Sequence, residues 1–76
     1  MTIDIYTTPS CPWCKKTKEW LKEKKVKFKE HDVSSDQKAH EKMVDLSGQM
    51  GVPVLDIDGT IIVGFNPEEI EEALGE

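Results

Sequence analysis

The stretch Cys11-Pro12-Trp13-Cys14 lies where one sequence pattern gives way to another. Before it, residues 2–7 alternate between apolar and polar side chains, which predicts a strand. After it, apolar residues recur at spacings of three and four, which predicts a helix. Cys11 and Cys14 are the two cysteines of the chain. Two cysteines separated by two residues, at the start of a helix that follows a strand, indicate a dithiol/disulfide redox pair.

The length and composition predict one soluble α/β domain that spans residues 1–76. Hydrophobic residues make up 37% and charged residues 33% of the chain. No apolar run approaches the ~20 residues of a membrane span, and residues 3–6 fit a strand better than a secretory signal. We therefore expect a cytoplasmic monomer without a membrane partner. In that compartment a lone Cys-x-x-Cys is more often catalytic or metal-binding than a structural disulfide.

The net charge of −5 is unevenly distributed. Residues 15–29 contain eight lysines and two glutamates, whereas residues 30–76 contain twelve acidic residues and two lysines. A basic segment is compatible with nucleic-acid binding. These lysines, however, flank the apolar positions of a predicted helix, which favours a solvated helix face. We expect no nucleic-acid partner.

The first half of the chain has the pattern of a βαβ unit. Ser10 or Cys11 is placed to cap the first helix, Pro12 suits its first turn, and the helical pattern continues to about Lys24. Residues 26–30 alternate again and predict a second strand that extends towards Val33. Because a helix joins these two strands, they should be parallel with a right-handed crossover.

The second half predicts a helix, a hairpin and a last helix. Ser34 as N-cap and Gln37 three residues later form a capping-box pattern, and Gly48 is a plausible end for this helix. A two-residue turn, Asp58-Gly59, separates two short apolar strands, and it needs positive φ at both positions. The third helix is predicted to begin with Asn66 as its cap, Pro67 in its first position and Glu69 closing a capping box.

The predicted order is therefore β-α-β-α-β-β-α. The third strand can pair with the first, which gives a mixed four-stranded sheet with three helices distributed over both faces.

With this order in place, the chain resembles a glutaredoxin, a family of the thioredoxin superfamily. The resemblance covers the whole length. It rests on Cys11-Pro12-Trp13-Cys14 after the first strand, Gly51-Val52-Pro53 before the third, and Gly64-Phe65 after the fourth. It implies a thioredoxin-like fold in which Pro53 follows a cis peptide bond and faces the cysteines. Cis bonds are uncommon even before proline, at about 5–6% of such bonds in folded proteins.

The resemblance also implies an activity, that of a thiol-disulfide oxidoreductase that reduces glutathione mixed disulfides or protein disulfides. Glutathione would be the cosubstrate, with no bound cofactor and no metal. Cys11 would attack the disulfide, and its place at a helix N-terminus favours the thiolate. Cys14, one turn further in, would resolve the mixed disulfide.

Several neighbouring residues are candidates for binding the substrate. The Val52 backbone, turned by the cis bond, could pair with an extended substrate like an added strand, and Trp13 would form a wall of the groove. The start of the third helix is a suitable seat for a carboxylate. The substrate-binding candidates are Thr8, Trp13, Val52, Pro53, Gly64, Phe65 and Asn66.

Departures from the family pattern leave the electron source open. Many glutaredoxins have a lysine at the position of Thr8. The segment Gly64-Phe65-Asn66-Pro67 is closer to the glutaredoxin-like electron donors of ribonucleotide reductase, which thioredoxin reductase recharges. Glutathione with glutathione reductase, or thioredoxin reductase, could therefore supply the electrons.

An iron–sulfur or metal-binding module is a third alternative. A cluster usually takes four thiolates, so a dimer with external thiols would be needed, and by resemblance Pro12 is unfavourable for cluster assembly. His31 and His40 are too far apart in sequence for a paired zinc site, and we expect structural or surface roles for both.

Overall fold

The computed structural model of the chain describes residues 3–75. Thr2, which the alternating pattern assigns to the first strand, lies outside these residues, as do the two ends of the predicted domain. The described residues form seven elements in the predicted order. They are β1 (Ile3–Thr7), α1 (Pro12–Glu23), β2 (Lys29–Asp32), α2 (Gln37–Ser47), β3 (Val54–Ile57), β4 (Thr60–Val63) and α3 (Pro67–Leu74).

The strands form a mixed four-stranded sheet in the order β2-β1-β3-β4. β1 and β2 run parallel, with Ile5 opposite Glu30, as expected for two strands joined by a helix. β1 and β3 are antiparallel, with Ile5 opposite Leu55, and β3 and β4 form the predicted hairpin. The first strand therefore lies at the centre of the sheet, and the loop that follows it carries the cysteines.

Helices cover both faces of the sheet, as predicted. Side chains alternate along a strand, so Ile3 and Ile5 share a face and Tyr6 points to the opposite one. A core cluster with Ile3 and Ile5 includes Leu21 of α1 and Ile70 of α3. A second cluster, around Tyr6, includes the residues Ala39 and Met43 of α2. Helices α1 and α3 thus pack on one face and α2 on the other, which confirms the thioredoxin-like arrangement.

The turn residues adopt the backbone conformations that the sequence predicted. Asp58 and Gly59 have φ values of 50° and 96° in the β3–β4 hairpin. Both lie in the left-handed region, which matches the right-handed twist of the strands on either side. Within residues 3–75, no helix combines the length and the apolar character that crossing a bilayer requires.

Two predicted boundaries are wrong. The second strand begins at Lys29 rather than at residue 26, because Lys25 has a positive φ of 58° and the Val26 N–H still bonds to the Leu21 carbonyl of α1. The cap of α2 is Asp36, not Ser34. The Ser34 hydroxyl and N–H both donate to the Asp32 carboxylate, so Ser34 belongs to the preceding turn.

The third helix begins at the predicted place without the predicted capping box. Asn66 is the N-cap residue and Pro67 the first helical residue, but the Asn66 side chain makes no capping bond. Its amide donates instead to the Val63 carbonyl at 2.8 Å. The side chain therefore fixes the turn between β4 and α3.

Candidate active site

Cys11 and Cys14 differ in exposure because of where α1 begins. Cys11 is the N-cap residue of α1, with an extended backbone, and it is partly exposed. Its Sγ accepts a hydrogen bond from the backbone N–H of Cys14 at 3.2 Å. Cys14 itself is buried, with 0% of its surface exposed. A sulfur that receives an N–H bond at a helix start is better suited to carry negative charge than a buried one.

The surroundings of Cys14 keep it in the thiol form. Burial raises the pKa of Cys14 to about 12, and its hydrogen bond with the Cys11 side chain acts in the same direction. A backbone hydrogen bond from Thr8 and the positive charge of Lys18 act in the opposite direction. At neutral pH, Cys14 is therefore a protonated thiol behind the accessible sulfur of Cys11.

The peptide bond between Val52 and Pro53 is cis and faces the cysteines, as expected. The Cys11 thiol donates a long hydrogen bond to the Val52 carbonyl, with 3.9 Å between sulfur and oxygen. On its other side the loop is held by Gly64, whose N–H donates to the Pro53 carbonyl at 2.8 Å. These two contacts hold the Val52-Pro53 loop between the start of α1 and the end of β4.

An open groove of about 260 Å³ lies beside this loop. Trp13 is 53% exposed, and its ring centroid lies 6.3 Å from that of Phe65, with the two rings tilted by 31°. The Lys16 Nζ lies 4.9 Å from the centre of the Trp13 ring, which is cation–π geometry. The lining residues are Trp13, Val52, Pro53, Gly64 and Phe65, all of them candidates from the sequence.

Two of the sequence candidates do not line this groove. The Thr8 carbonyl accepts a hydrogen bond from the Cys11 N–H at 3.3 Å, within the loop between β1 and α1. The Asn66 amide is bonded to Val63, as described above. Both residues therefore form hydrogen bonds within the loops next to the groove.

One polar group of the site did not emerge from the sequence. Lys18 Nζ and Thr7 Oγ1 both lie 2.8 Å from the same carboxylate oxygen of Glu30. These contacts, with that to Lys18 first, lower the pKa of Glu30. The signal that could have identified Lys18 is its spacing, four residues after Cys14 on the same helix face.

The histidines lie away from this site. His31 bonds to the Asp4 carboxylate at 2.9 Å and stacks on the Tyr6 ring, with 5.0 Å between centroids. His40 lies in α2. Among residues 3–75, no group of three His, Cys, Asp or Glu side chains is placed to hold a metal ion.

Comparisons with known proteins agree with this geometry. The family model described as Glutaredoxin matches residues 3–62. An uncharacterized glutaredoxin-like 8.6 kDa protein from the rubredoxin operon of Clostridium pasteurianum is 57% identical over 72 residues, which cover 95% of this chain and 96% of that protein. Glutaredoxin 3 of Escherichia coli K12 is 36% identical over 62 residues, covering 82% and 75% of the two chains.

A solved structure is also similar along nearly the whole chain. It is that of NrdH-redoxin from Escherichia coli, a glutaredoxin-like protein described as having a thioredoxin-like activity profile. The TM-score is 0.85 at 28% identity, and the match covers 95% of this chain and 93% of that one.

Proposed function

This chain belongs to the glutaredoxin family, and we propose that it is a thiol-disulfide oxidoreductase that reduces glutathione mixed disulfides or protein disulfides. The observation that carries the proposal is the asymmetry of the cysteine pair. The partly exposed Cys11 sulfur receives the Cys14 N–H, and the Cys14 thiol lies buried behind it. One sulfur can attack, and the other is held back for a second step.

In the first step, the Cys11 thiolate attacks one sulfur of the substrate disulfide. The Cys11–substrate S–S bond forms, the substrate's own S–S bond breaks, and one thiolate leaves. Thiolate is the attacking species in such exchange. The N–H of Cys14 supports the negative charge on Cys11 before the attack.

In the second step, a further thiol releases the substrate from Cys11. If Cys14 supplies it, the Cys11–Cys14 disulfide forms and the remaining substrate leaves as a thiol. If glutathione supplies it, Cys11 returns to the thiol form and a glutathione mixed disulfide or glutathione disulfide leaves. The first route transfers two electrons to the substrate and leaves the Cys11–Cys14 disulfide to be reduced. The second route exchanges one thiol, and a further thiol or glutathione reductase must reduce the disulfide that leaves.

The groove is suited to an extended peptide segment. The Val52 backbone borders it next to the cysteine, and backbone groups at such a position can pair with a substrate strand. Trp13 and Phe65, whose rings are in contact, offer apolar surface to it. Both γ-Glu-Cys-Gly and a protein segment around a disulfide can adopt this extended form.

A second candidate concerns the electron source. The five lining residues include no charged side chain, and the Asn66 amide is already bonded to Val63. The groove thus offers apolar contacts, and its lining residues provide no charged group to bind the carboxylates of glutathione. Together with the similarity to NrdH-redoxin, this favours a donor that thioredoxin reductase recharges.

A recycling assay separates these candidates. The substrate is a mixed disulfide of glutathione with a small thiol, and NADPH oxidation is followed in two arms. One arm contains glutathione and glutathione reductase, and the other contains thioredoxin reductase. Turnover in the first arm supports glutathione as the cosubstrate, whereas turnover confined to the second assigns the alternative donor. Turnover in neither arm, or equal turnover with Cys11→Ser, would overturn the proposed function.

A further inference from the structure

A small charged cluster lies between the sheet and α1, the helix that carries Cys14. One oxygen of the Glu30 carboxylate, Oε2, lies 2.8 Å from Lys18 Nζ and 2.8 Å from Thr7 Oγ1. Thr7 is 2% exposed, and the side chains of Lys18 and Glu30 are 30% and 41% exposed. This Thr7–Lys18–Glu30 cluster therefore joins α1 to both β1 and β2.

The cluster keeps the lysine close to Cys14. Lys18 follows Cys14 by four residues in α1, so the two side chains lie on one face of the helix. Glu30 pairs with Ile5 in the sheet register, so its side chain points to the face on which α1 packs. A lysine has a flexible stem and loses side-chain entropy when it is held. The ion pair with Glu30, whose carboxylate also accepts a hydrogen bond from Thr7, reduces that freedom.

The resolving step needs such a charge. Cys14 must lose its proton before it can attack, although burial disfavours the anion. Once Cys11 is in a mixed disulfide, its sulfur no longer carries a charge that opposes the Cys14 anion. The groups that then favour this anion are the Thr8 backbone and the positive charge of Lys18, both of which lower the pKa of Cys14.

We propose that Lys18, held by Glu30, which in turn is held by Thr7, is a positioning residue of the resolving step, where it stabilises the Cys14 thiolate during its attack on Cys11. The proposal rests on the thiol-disulfide function argued above. Lys18 lies outside the groove, and on this proposal it affects the rate of the second step and not that of the first. The titratable groups that act on Cys14 are Cys11 and Lys18, and Glu30 is the ion-pair partner of Lys18.

The step is balanced as follows. The Cys14 thiol gives its proton to solvent, and its thiolate attacks Cys11 Sγ. The Cys11–Cys14 bond forms while the bond between Cys11 and the substrate sulfur breaks. The electron pair of that bond leaves with the substrate sulfur, which takes up a proton if its own pKa requires it. Lys18 neither gains nor loses a proton.

Stopped-flow absorbance with dithiobis(nitrobenzoate) resolves the two steps in the full chain. Attack by Cys11 releases one coloured thiolate, and attack by Cys14 on the resulting mixed disulfide releases the second. We expect Lys18→Met to slow the second phase by roughly three- to tenfold at neutral pH, because each unit of pKa changes the thiolate population tenfold. The pH at half-maximal rate of that phase should rise, and the first phase should keep its rate.

Two further variants complete the test. Lys18→Arg keeps a cation that can bond to Glu30, and it should restore most of the second-phase rate. Lys22→Met removes an exposed lysine one turn further along α1, and it should leave both phases and the pH profile unchanged. Circular dichroism of each variant shows whether the fold is retained.

The possible results separate the inference from the proposed function. Absence of a second phase in the unaltered protein would overturn the resolving role of Cys14 itself. A normal second phase in Lys18→Met, or slowing without a shift of the pH profile, would overturn only the role of Lys18. The same holds if Lys22→Met causes an equal slowing, because a general loss of positive charge would then be responsible.

Discussion

The backbone N–H of Cys14 lies 3.2 Å from Cys11 Sγ and donates a hydrogen bond to it. One residue thus supplies both a hydrogen-bond donor for the attacking sulfur and the thiol that later displaces the substrate from it. Replacing the Cys14 side chain removes the second role and keeps the first, since the donor belongs to the backbone. The two roles can therefore be separated by mutation.

Cys14→Ser should retain the first step and lose the internal second step. We expect the variant to accumulate a covalent adduct on Cys11 when it is mixed with a glutathione or protein disulfide. Intact-mass spectrometry after acid quenching measures this adduct. The matched control, Cys11→Ser, should form almost none, because the remaining thiol is buried and protonated. Equal adduct formation by the two variants would contradict the assigned order of attack.

The reduced protein should lose stability in alkali through Cys14. Its pKa is near 9 in the unfolded chain and is raised to about 12 in the folded one. The folded state then binds the proton more tightly, so this contribution is fully present below pH 9 and is lost as the pH rises towards 12. Urea unfolding of the reduced protein at a series of pH values measures the effect.

Cys14→Ala provides the control for that titration, because Tyr6 also has a raised pKa and acts in the same direction. The alkaline loss of stability should be smaller in Cys14→Ala than in the unaltered protein. Identical pH dependence in the two would show that Cys14 does not carry it.

The contacts of Glu30 should stabilise the fold above acidic pH. The pKa of Glu30 in the folded protein lies below its ordinary value of about 4.3. The stabilising contribution is therefore present above the ordinary pKa and is lost as the pH falls through the pKa of the folded protein. Thr7→Val removes one donor and should cost below about 1 kcal/mol, because the Glu30 side chain is 41% exposed and solvent screens it.

The measurement for Thr7→Val is urea unfolding at pH 7 and at pH 3. The difference from the unaltered protein should be larger at pH 7. A Thr7→Val, Glu30→Gln double variant serves as the control, since the two changes should add less than independently if they act on one contact. Full additivity would contradict the coupling.

Trp13→Ala should weaken substrate binding more than it slows the chemistry. Trp13 is a wall of the groove, whereas the sulfur contacts of Cys11 are made by the backbone of Cys14 and Val52. Loss of about 1 kcal/mol of apolar contact corresponds to a roughly fivefold rise in KM. Steady-state kinetics with a peptide disulfide measures KM and kcat separately. Trp13→Phe should lie closer to the unaltered protein, and a fall in kcat alone would argue against a binding role.

Gly59→Ala should destabilise the hairpin by about 1 kcal/mol, because Gly59 has a φ of 96° and a side chain is strained there. Space is not the cause, since a Cβ at this position meets nothing within 4 Å. Thermal or urea unfolding measures the loss. Asp58→Asn, at a φ of 50°, is the matched control and should be nearly neutral, because asparagine tolerates the left-handed region. A neutral Gly59→Ala would contradict the backbone argument.

The features that local chemistry specifies were predictable from the sequence. The Asp58-Gly59 turn follows from backbone preference, and the helix start at Pro12 follows from its fixed φ. The groove required more than local pattern, since Trp13 and Phe65 are far apart in sequence. The resemblance made each of them a separate candidate for the groove, and the contact between their rings was found only in the structure.

The start of β2 was missed because the backbone at Lys25 and Val26 still closes α1, and the other failures arose where side chains compete for one partner. Ser34 fits a capping box, but its N–H and hydroxyl donate to the Asp32 carboxylate. Asp36 caps α2 instead, by accepting from the Ala39 N–H. The bond from Lys18 to Glu30 depends on the register between β1 and β2 and on the packing of α1. Neither is visible in a single sequence, which is why the lysine was assigned to a solvated face.

Both tryptophans of the chain lie on α1, and Phe65 contacts both of them. Trp13 lies at the groove, whereas Trp20 is partly buried, with its ring steeply inclined to that of Phe65. All intrinsic tryptophan fluorescence of the protein therefore originates from the helix that begins at the cysteine pair. In a Trp20→Phe variant, emission would come from Trp13 alone, so disulfide formation and peptide docking could be followed optically without attaching a dye.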